Sequence, residues 1–304
     1  MYFDFSSLFN ELLNILLLLL LSIGPLCFYF LLAIFSHNFI RRLSSSTTEN
    51  YSKTEQKFDK KELISAYSLF KSINNLQNFK RIDDALKLSL QDNAEIFFRM
   101  NLREFPIWEE NDLPNEFIGN VNILERNYKM IVKEMEKAFK CGHLWIKNEN
   151  IYNKTNWFTY FLIKDGNWQE ECCNECPELV KLLKEFDNDY LLNNCSFCNV
   201  NFSMLPANSA IPEHIGTTNI RLRIHYGLEI PSGNGKENCF MKVGNKKFYW
   251  TAGKATIINT SFLHSVSSIG CSEDRIVLII DFWHPDLTKE EKEILKNIFP
   301  PITK

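Results

Sequence analysis

No block of lysine or arginine occurs in the second half of this 304-residue chain, and the net charge is −3. A groove for nucleic acid needs a concentrated basic patch, so nucleic acid is excluded as a partner class. Also missing is any Lys or Arg before the apolar run Leu12 to Phe35. A cleaved signal peptide needs a basic start and an apolar stretch of about 7–15 residues, and this run is longer. It suits a membrane-spanning helix, for which ~20 residues suffice. Residues 1–40 are therefore expected as the N-terminal transmembrane anchor of a single-pass membrane protein. Asp4 and Glu11 precede the run and Arg41 and Arg42 follow it, which directs the rest of the chain to the cytosol by the positive-inside rule.

What remains is rich enough for one sizeable core, with 45% hydrophobic and 23% charged residues overall. Residues 41–62, around "SSSTTENYSKTEQKFD", lack apolar periodicity and read as a flexible tether. Residues 63–150 read as a helical region, because "KKELISAYSLFKSINNL", "RIDDALKLSLQDNAEIFFRM" and "ILERNYKMIVKEMEKAFK" place apolar residues three and four apart. From about Asn156 the period becomes two. Short alternating segments split by turn residues, with Gly244-Asn245 as a hairpin turn, predict a sandwich or jelly roll over residues 151–290, followed by a C-terminal tail at 291–304.

Within that region, "EHIGTTNIRLRIHYG" carries Arg221, Arg223 and His225 on one strand face and Leu222, Ile224 and Tyr226 on the other. "NVNFSML" repeats the pattern, with Asn199, Asn201 and Ser203 together. His214 and His264 each lie beside a strand end, and two neutral imidazoles can hold a divalent transition metal. Arg275 opens the apolar strand "RIVLIIDFW", where a buried guanidinium wants a carboxylate partner. Two histidines with arginines able to bind both ends of a dicarboxylate describe a site for Fe(II) and 2-oxoglutarate. Separately, Cys173-Xaa-Xaa-Cys176 and Cys195-Xaa-Xaa-Cys198 have the spacing of a structural zinc site.

The order Ser203, His214-Xaa-Gly216, "TNIRLRIHYGLEIP", "FLH" ending at His264, Arg275 and "DFWHPDLT" resembles the aspartyl/asparaginyl β-hydroxylase family from about Asn156 to Thr288. The resemblance implies a mainly β double-stranded β-helix, a cupin-like jelly roll preceded by α-helices. It also implies O₂ as cosubstrate and hydroxylation at the β-carbon of Asp or Asn in a peptide or protein. His214 and His264 would be the iron ligands. Ser203 and Arg275 would bind the distal carboxylate of 2-oxoglutarate, Arg223 and His225 its metal-proximal end, and Arg221 would face the prime substrate. Tyr226 and Leu228 would pack outward under the second sheet.

Gly216 stands where most related oxygenases keep a ligating Asp or Glu. In the aspartyl hydroxylases a water takes that place, whereas the related lipid A hydroxylases keep an acid there. Lipid hydroxylation is therefore the second enzymatic reading, and a non-catalytic metal- or ligand-binding jelly roll is the third. Asn259 and Thr260 in "NTSFLH" replace the family's usual acidic residue. Animal members carry disulfides where the two Cys-Xaa-Xaa-Cys pairs fall, so zinc, disulfides and free thiols all stay open. Those members work in the endoplasmic reticulum lumen, which conflicts with the charge asymmetry. The sequons at Asn201 and Asn259, on strands beside the site, favour the cytosolic side.

Overall fold

The period-two segments become strands in the computed structural model, which describes residues 48–50, 60–73, 79–89, 97–149, 156–186, 190–233 and 235–302. Short strands β1 (Thr48–Asn50), β2 (Ile107–Trp108) and β3 (Ile146–Glu149) precede β4 (Asn156–Lys164) and β5 (Asn167–Trp168). Then come β6 (Val200–Leu205), β7 (Ala210–His214), β8 (Arg221–Glu229), β9 (Phe240–Val243), β10 (Lys246–Phe248), β11 (Ala255–Ile258), β12 (His264–Ser267) and β13 (Arg275–Trp283). The helices are α1 (Lys60–Ile73), α2 (Lys80–Ser89), α3 (Asn115–Arg126), α4 (Tyr128–Lys140), α5 (Glu170–Glu175), α6 (Pro177–Glu185) and α7 (Lys289–Ile298).

The large sheet runs β1-β3-β4-β6-β13-β8-β11-β2, with β5 beside β4, and the small sheet runs β10-β9-β12-β7. Strands β6 to β13 thus wind between the two sheets: β6, β8, β11 and β13 lie in the large one, and β7, β9, β10 and β12 in the small one. That winding is a jelly roll, and among the named strands only β1 and β3 pair in parallel. Gly244, at φ +56°, turns the β9–β10 hairpin where residues with a Cβ are strained.

Between the sheets, Trp157, Leu205, Ile258, Val277 and Ile279 of the large sheet meet Met241, Val243 and Val266 of the small one. The other face of the large sheet is covered by helices and loops. Phe117 on α3 sets its ring edge-on 5.1 Å from Phe282, and Tyr128 at the start of α4 donates its hydroxyl to the Leu228 carbonyl at 2.9 Å. All nine residues of β13 are therefore buried, which is why "RIVLIIDFW" reads as a continuous apolar run rather than a clean alternation. Tyr226, expected beneath the second sheet, instead lies 6.3 Å from the ring of Tyr128. The helical cover occupies that face, and the second sheet takes the polar one.

"ILERNYKMIVKEMEKAFK" forms two helices, with Asn127 between them at φ −100° and ψ 17° and its side-chain amide donating to the Ile123 carbonyl. Such local side-chain bonds compete with continued helix. The stretch set apart as a tail carries α7, begun by a Thr288–Glu291 capping box and held by Arg81 on Glu291. Phe299 beyond it packs 5.0 Å from Phe98.

The single-pass membrane expectation needs correction. Among the described residues no helix is long and apolar enough to cross a membrane, and the run Leu12 to Phe35 on which the anchor rested lies outside the described residues. The reasoning about its sidedness and compartment falls with it.

Phe282→Ala should destabilise the protein by about 3–5 kcal/mol, because a fully buried ring would leave a cavity between the large sheet and α3. Denaturant unfolding measures this, and a change below about 1 kcal/mol would mean the α3 side of the sheet is loosely packed.

Candidate active site

His214 ends β7 and His264 begins β12, and these strands pair with the two residues opposite one another and their rings 4.1 Å apart. The Nδ1 of His214 lies 2.8 Å from the Pro212 carbonyl and that of His264 lies 2.7 Å from the Phe262 carbonyl. A carbonyl only accepts, so each Nδ1 carries the proton and each Nε2 presents its lone pair. Burial lowers the pKa of both, and for His264, with help from His214, to about 3. Both rings are neutral at pH 7. Neutral imidazoles oriented through Nδ1 by a backbone carbonyl are what a transition metal requires of its histidine ligands.

The jelly roll brings the polar face of β8 to the same interior. Arg223 stands opposite Asp281 on β13 and His225 opposite Ile279, while Val277 lies opposite Ser203 on β6. Arg275, two positions before Val277, therefore shares the inner face with Ser203 as its diagonal neighbour. Its side chain is 1% exposed and its guanidinium lies 4.8 Å over the Trp250 ring. Its Nε and Nη1 are buried without a hydrogen-bond partner among the described residues. Burial lowers its pKa to about 10, which still leaves it charged at neutral pH. His225, with a buried Nδ1 that also has no partner, is kept neutral by burial and then by Arg275 and Arg223.

Asp281 supplies the one carboxylate in this polar set. Fully buried, it accepts from Arg223 Nε and Nη2 at 2.7 and 2.9 Å and from Arg221 Nη1 at 2.9 Å. Arg221 also donates to the Phe197 carbonyl, and its side chain is 9% exposed against 20% for Arg223. Arg221, expected to face a prime substrate, is thus paired with Asp281 in the interior. Asp281 had a signal in the sequence: it is the only acid in "RIVLIIDFW", and its parity matches that of Arg275.

No side chain fits at residue 216. A Cβ there would lie 2.8 Å from the Thr260 carbonyl oxygen and 2.9 Å from its hydroxyl, and Gly216 N–H donates to that same carbonyl at 2.8 Å. The close approach of two backbones demands glycine. Thr260 Oγ1 and Asn259 Nδ2, in the segment that lacks the family's usual acid, are buried without partners among the described residues.

Zinc is corrected. Among the described residues no group of three or more His, Cys, Asp or Glu side chains is placed to hold a metal, and the described cysteines are free thiols. Cys173 and Cys176, around α5, donate to the Leu162 and Glu134 carbonyls. Cys195 and Cys198 sit in the loop before β6, where the Cys198 N–H donates to the Cys195 carbonyl. Burial pushes all four thiols up. Ligand spacing sets how far apart two pairs lie along the chain, not whether the fold turns them toward one point.

A histidine pair at one end of the fold, with a buried guanidinium in the same interior, defines a jelly-roll protein with a polar interior. More narrowly, the chain belongs to the aspartyl/asparaginyl beta-hydroxylase family, whose sequence model matches residues 125–285. It is 32% identical over 213 residues to aspartate beta-hydroxylase domain-containing protein 2 of Homo sapiens, covering 68% of this chain and 55% of that protein. It is 34% identical over 182 residues to aspartyl/asparaginyl beta-hydroxylase of Mus musculus, covering 59% of this chain and 23% of that one. The chain therefore spans about half the length of the first relative and a quarter of the second. Among solved structures, a prolyl hydroxylase in complex with a hypoxia inducible factor oxygen degradation domain peptide fragment from Trichoplax adhaerens overlaps at a TM-score of 0.38 with 12% identity, over 59% of this chain and 93% of that one.

Asp281→Asn should cost about 3–5 kcal/mol of stability, since it removes the buried charge that the Arg221 and Arg223 guanidinium groups share. Chemical denaturation measures it, and a variant as stable as the wild type would mean the two arginines are compensated elsewhere.

Proposed function

We propose that this protein is an Fe(II)- and 2-oxoglutarate-dependent oxygenase that hydroxylates the β-carbon of Asp or Asn side chains in a peptide or protein substrate. The observation that carries the reading is Arg275. A charged guanidinium with 1% exposure and two unpartnered N–H groups is costly unless a carboxylate joins it. Among the described residues nothing accepts from its Nε or Nη1, whereas Arg221 and Arg223 have Asp281. A small diacid entering between the sheets meets that need.

His214 and His264 would hold the iron, and the donor set fits: two neutral imidazoles, each oriented by a carbonyl, with no protein carboxylate at position 216. When bound, iron and 2-oxoglutarate supply the oxidative decarboxylation of the keto acid that is coupled to oxygen insertion into a C–H bond. The chain's own part is binding, orientation and exclusion of water. Arg275 and Ser203 anchor the distal carboxylate, and Trp250 walls the pocket against the guanidinium. His225 and Arg223, on the β8 face nearer the histidines, serve the metal-proximal end, with Arg223 fixed in direction by Asp281. Arg221 acts through Asp281 as a positioning residue. Support for a peptide β-carbon as the target is the family itself and the names of its members.

His214→Ala or His264→Ala should abolish 2-oxoglutarate turnover, read as succinate formation, because a pair has no spare ligand. Full turnover in either variant would end the assignment.

Arg275→Met should keep most of the apolar packing on Trp250 and weaken 2-oxoglutarate binding by roughly 2–5 kcal/mol. Calorimetry on the full chain reads this directly, and an unchanged affinity would give Arg275 another purpose.

A further inference from the structure

Two loops close the interior beside Arg275. One leads from β8 to β9 and the other from β12 to β13. They approach so tightly that a Cβ on Gly235, which sits at φ +81°, would lie 2.1 Å from the Gly270 carbonyl oxygen. The Glu273 carboxylate accepts from the Ser232 and Gly233 N–H groups at 2.7 and 3.5 Å, tying one loop to the other. Where they meet, Cys239 and Cys271 are 2% and 5% exposed, and the Cys271 Cα would lie 3.3 Å from a Cβ on Gly235, four residues before Cys239. The Cys271 thiol also lies 3.1 Å from the Gly235 carbonyl. Both belong to the core cluster that joins the two sheets, and Cys239 is close enough to Arg275 to interact with its charge.

We propose that Cys239 and Cys271 are a reversible redox pair whose disulfide staples these two loops and stiffens the start of β13, where Arg275 receives its ligand. Two buried cysteines of one core cluster, on loops whose backbones already touch, need little backbone movement to be bridged. With oxidised glutathione as oxidant, one thiolate attacks its disulfide and expels one glutathione. The second cysteine then attacks the mixed disulfide and expels the other. Two S–H bonds are lost, one S–S bond forms, and two electrons and two protons leave as two reduced glutathione molecules. Burial raises the Cys239 thiol to about 11, so uncatalysed exchange is slow and the pair answers sustained oxidation. Stiffening the strand end lowers the ordering cost of binding there, so oxidation should tighten ligand capture. That consequence rests on the reading of Arg275 proposed above.

The sequence makes the test direct. Tryptic cleavage yields residues 237–242 and 255–275, which hold Cys239 and Cys271 as their only cysteines. The full chain is incubated with oxidised glutathione over hours, its remaining thiols are alkylated, and it is digested without reductant. The expected result is these two peptides joined, two hydrogens lighter than their sum, released by dithiothreitol and absent from C239S and C271S. Calorimetry with 2-oxoglutarate should give about threefold or more tighter binding for the oxidised wild type and no change for C271S. Peptides that stay separate, or carry only glutathione, overturn the pair. A joined peptide with unchanged affinity overturns its coupling to Arg275. If the reduced protein does not bind 2-oxoglutarate at all, the proposed function fails while the cross-link still reports on the pair.

Discussion

The carboxylate of Asp281 is the contact on which the interior depends. It has no exposure and accepts from guanidinium groups on β8. A buried charge of either sign is costly alone, but a carboxylate held by a fork of donors compensates much of that cost. By drawing in both Arg221 and Arg223, Asp281 aligns the polar face of β8 with β13 and leaves the third inward arginine, Arg275, as the uncompensated charge.

That division of charge gives the interior its direction. At one end lies the histidine pair, neutral and oriented by carbonyls. Deeper lies Arg275 against Trp250, in the apolar core that joins the sheets. A ligand matching this layout carries an anion for the guanidinium and presents its other end to the histidines. The jelly roll makes this possible because its paired strands β7 and β12 place His214 and His264 opposite one another although fifty positions separate them in the chain. The glycine at 216 follows from the same pairing: the backbone at Thr260 comes so close that any side chain would collide.

The outer face of the large sheet depends on a different balance. Leu222, Ile224, Tyr226, Leu278, Ile280 and Phe282 are all buried, and helices rather than a second sheet cover them. Burying both faces of β13 gives the central strand its rigidity, since each inward residue is fixed by outward neighbours packed against α3 and nearby aromatic rings. The aromatic contacts of Phe282 with Phe117 and Phe186, at 5.1 and 5.7 Å, are part of that support.

Alternation alone placed Arg221, Arg223 and His225 on one face, because a strand's side chains alternate whatever the sheet around it. The same periodicity foretold the β6 and β8 polar faces and the jelly roll, and motif order foretold the family. Where the fold decides contact, the sequence was silent. Arg221 turned to Asp281 because the register of β8 on β13 put a carboxylate within reach, a pairing between residues 60 positions apart. Of the four cysteines at zinc-like spacing, Cys173 and Cys176 donate to backbone carbonyls, because spacing along a chain carries no direction in space. The meeting of Cys239 with Cys271 could not be read from either segment, since each is an ordinary loop until the β-helix winds one over the other. Local periodicity is a property of the backbone and travels with the sequence; proximity between distant residues is a property of strand order and register, which only the folded sheets define.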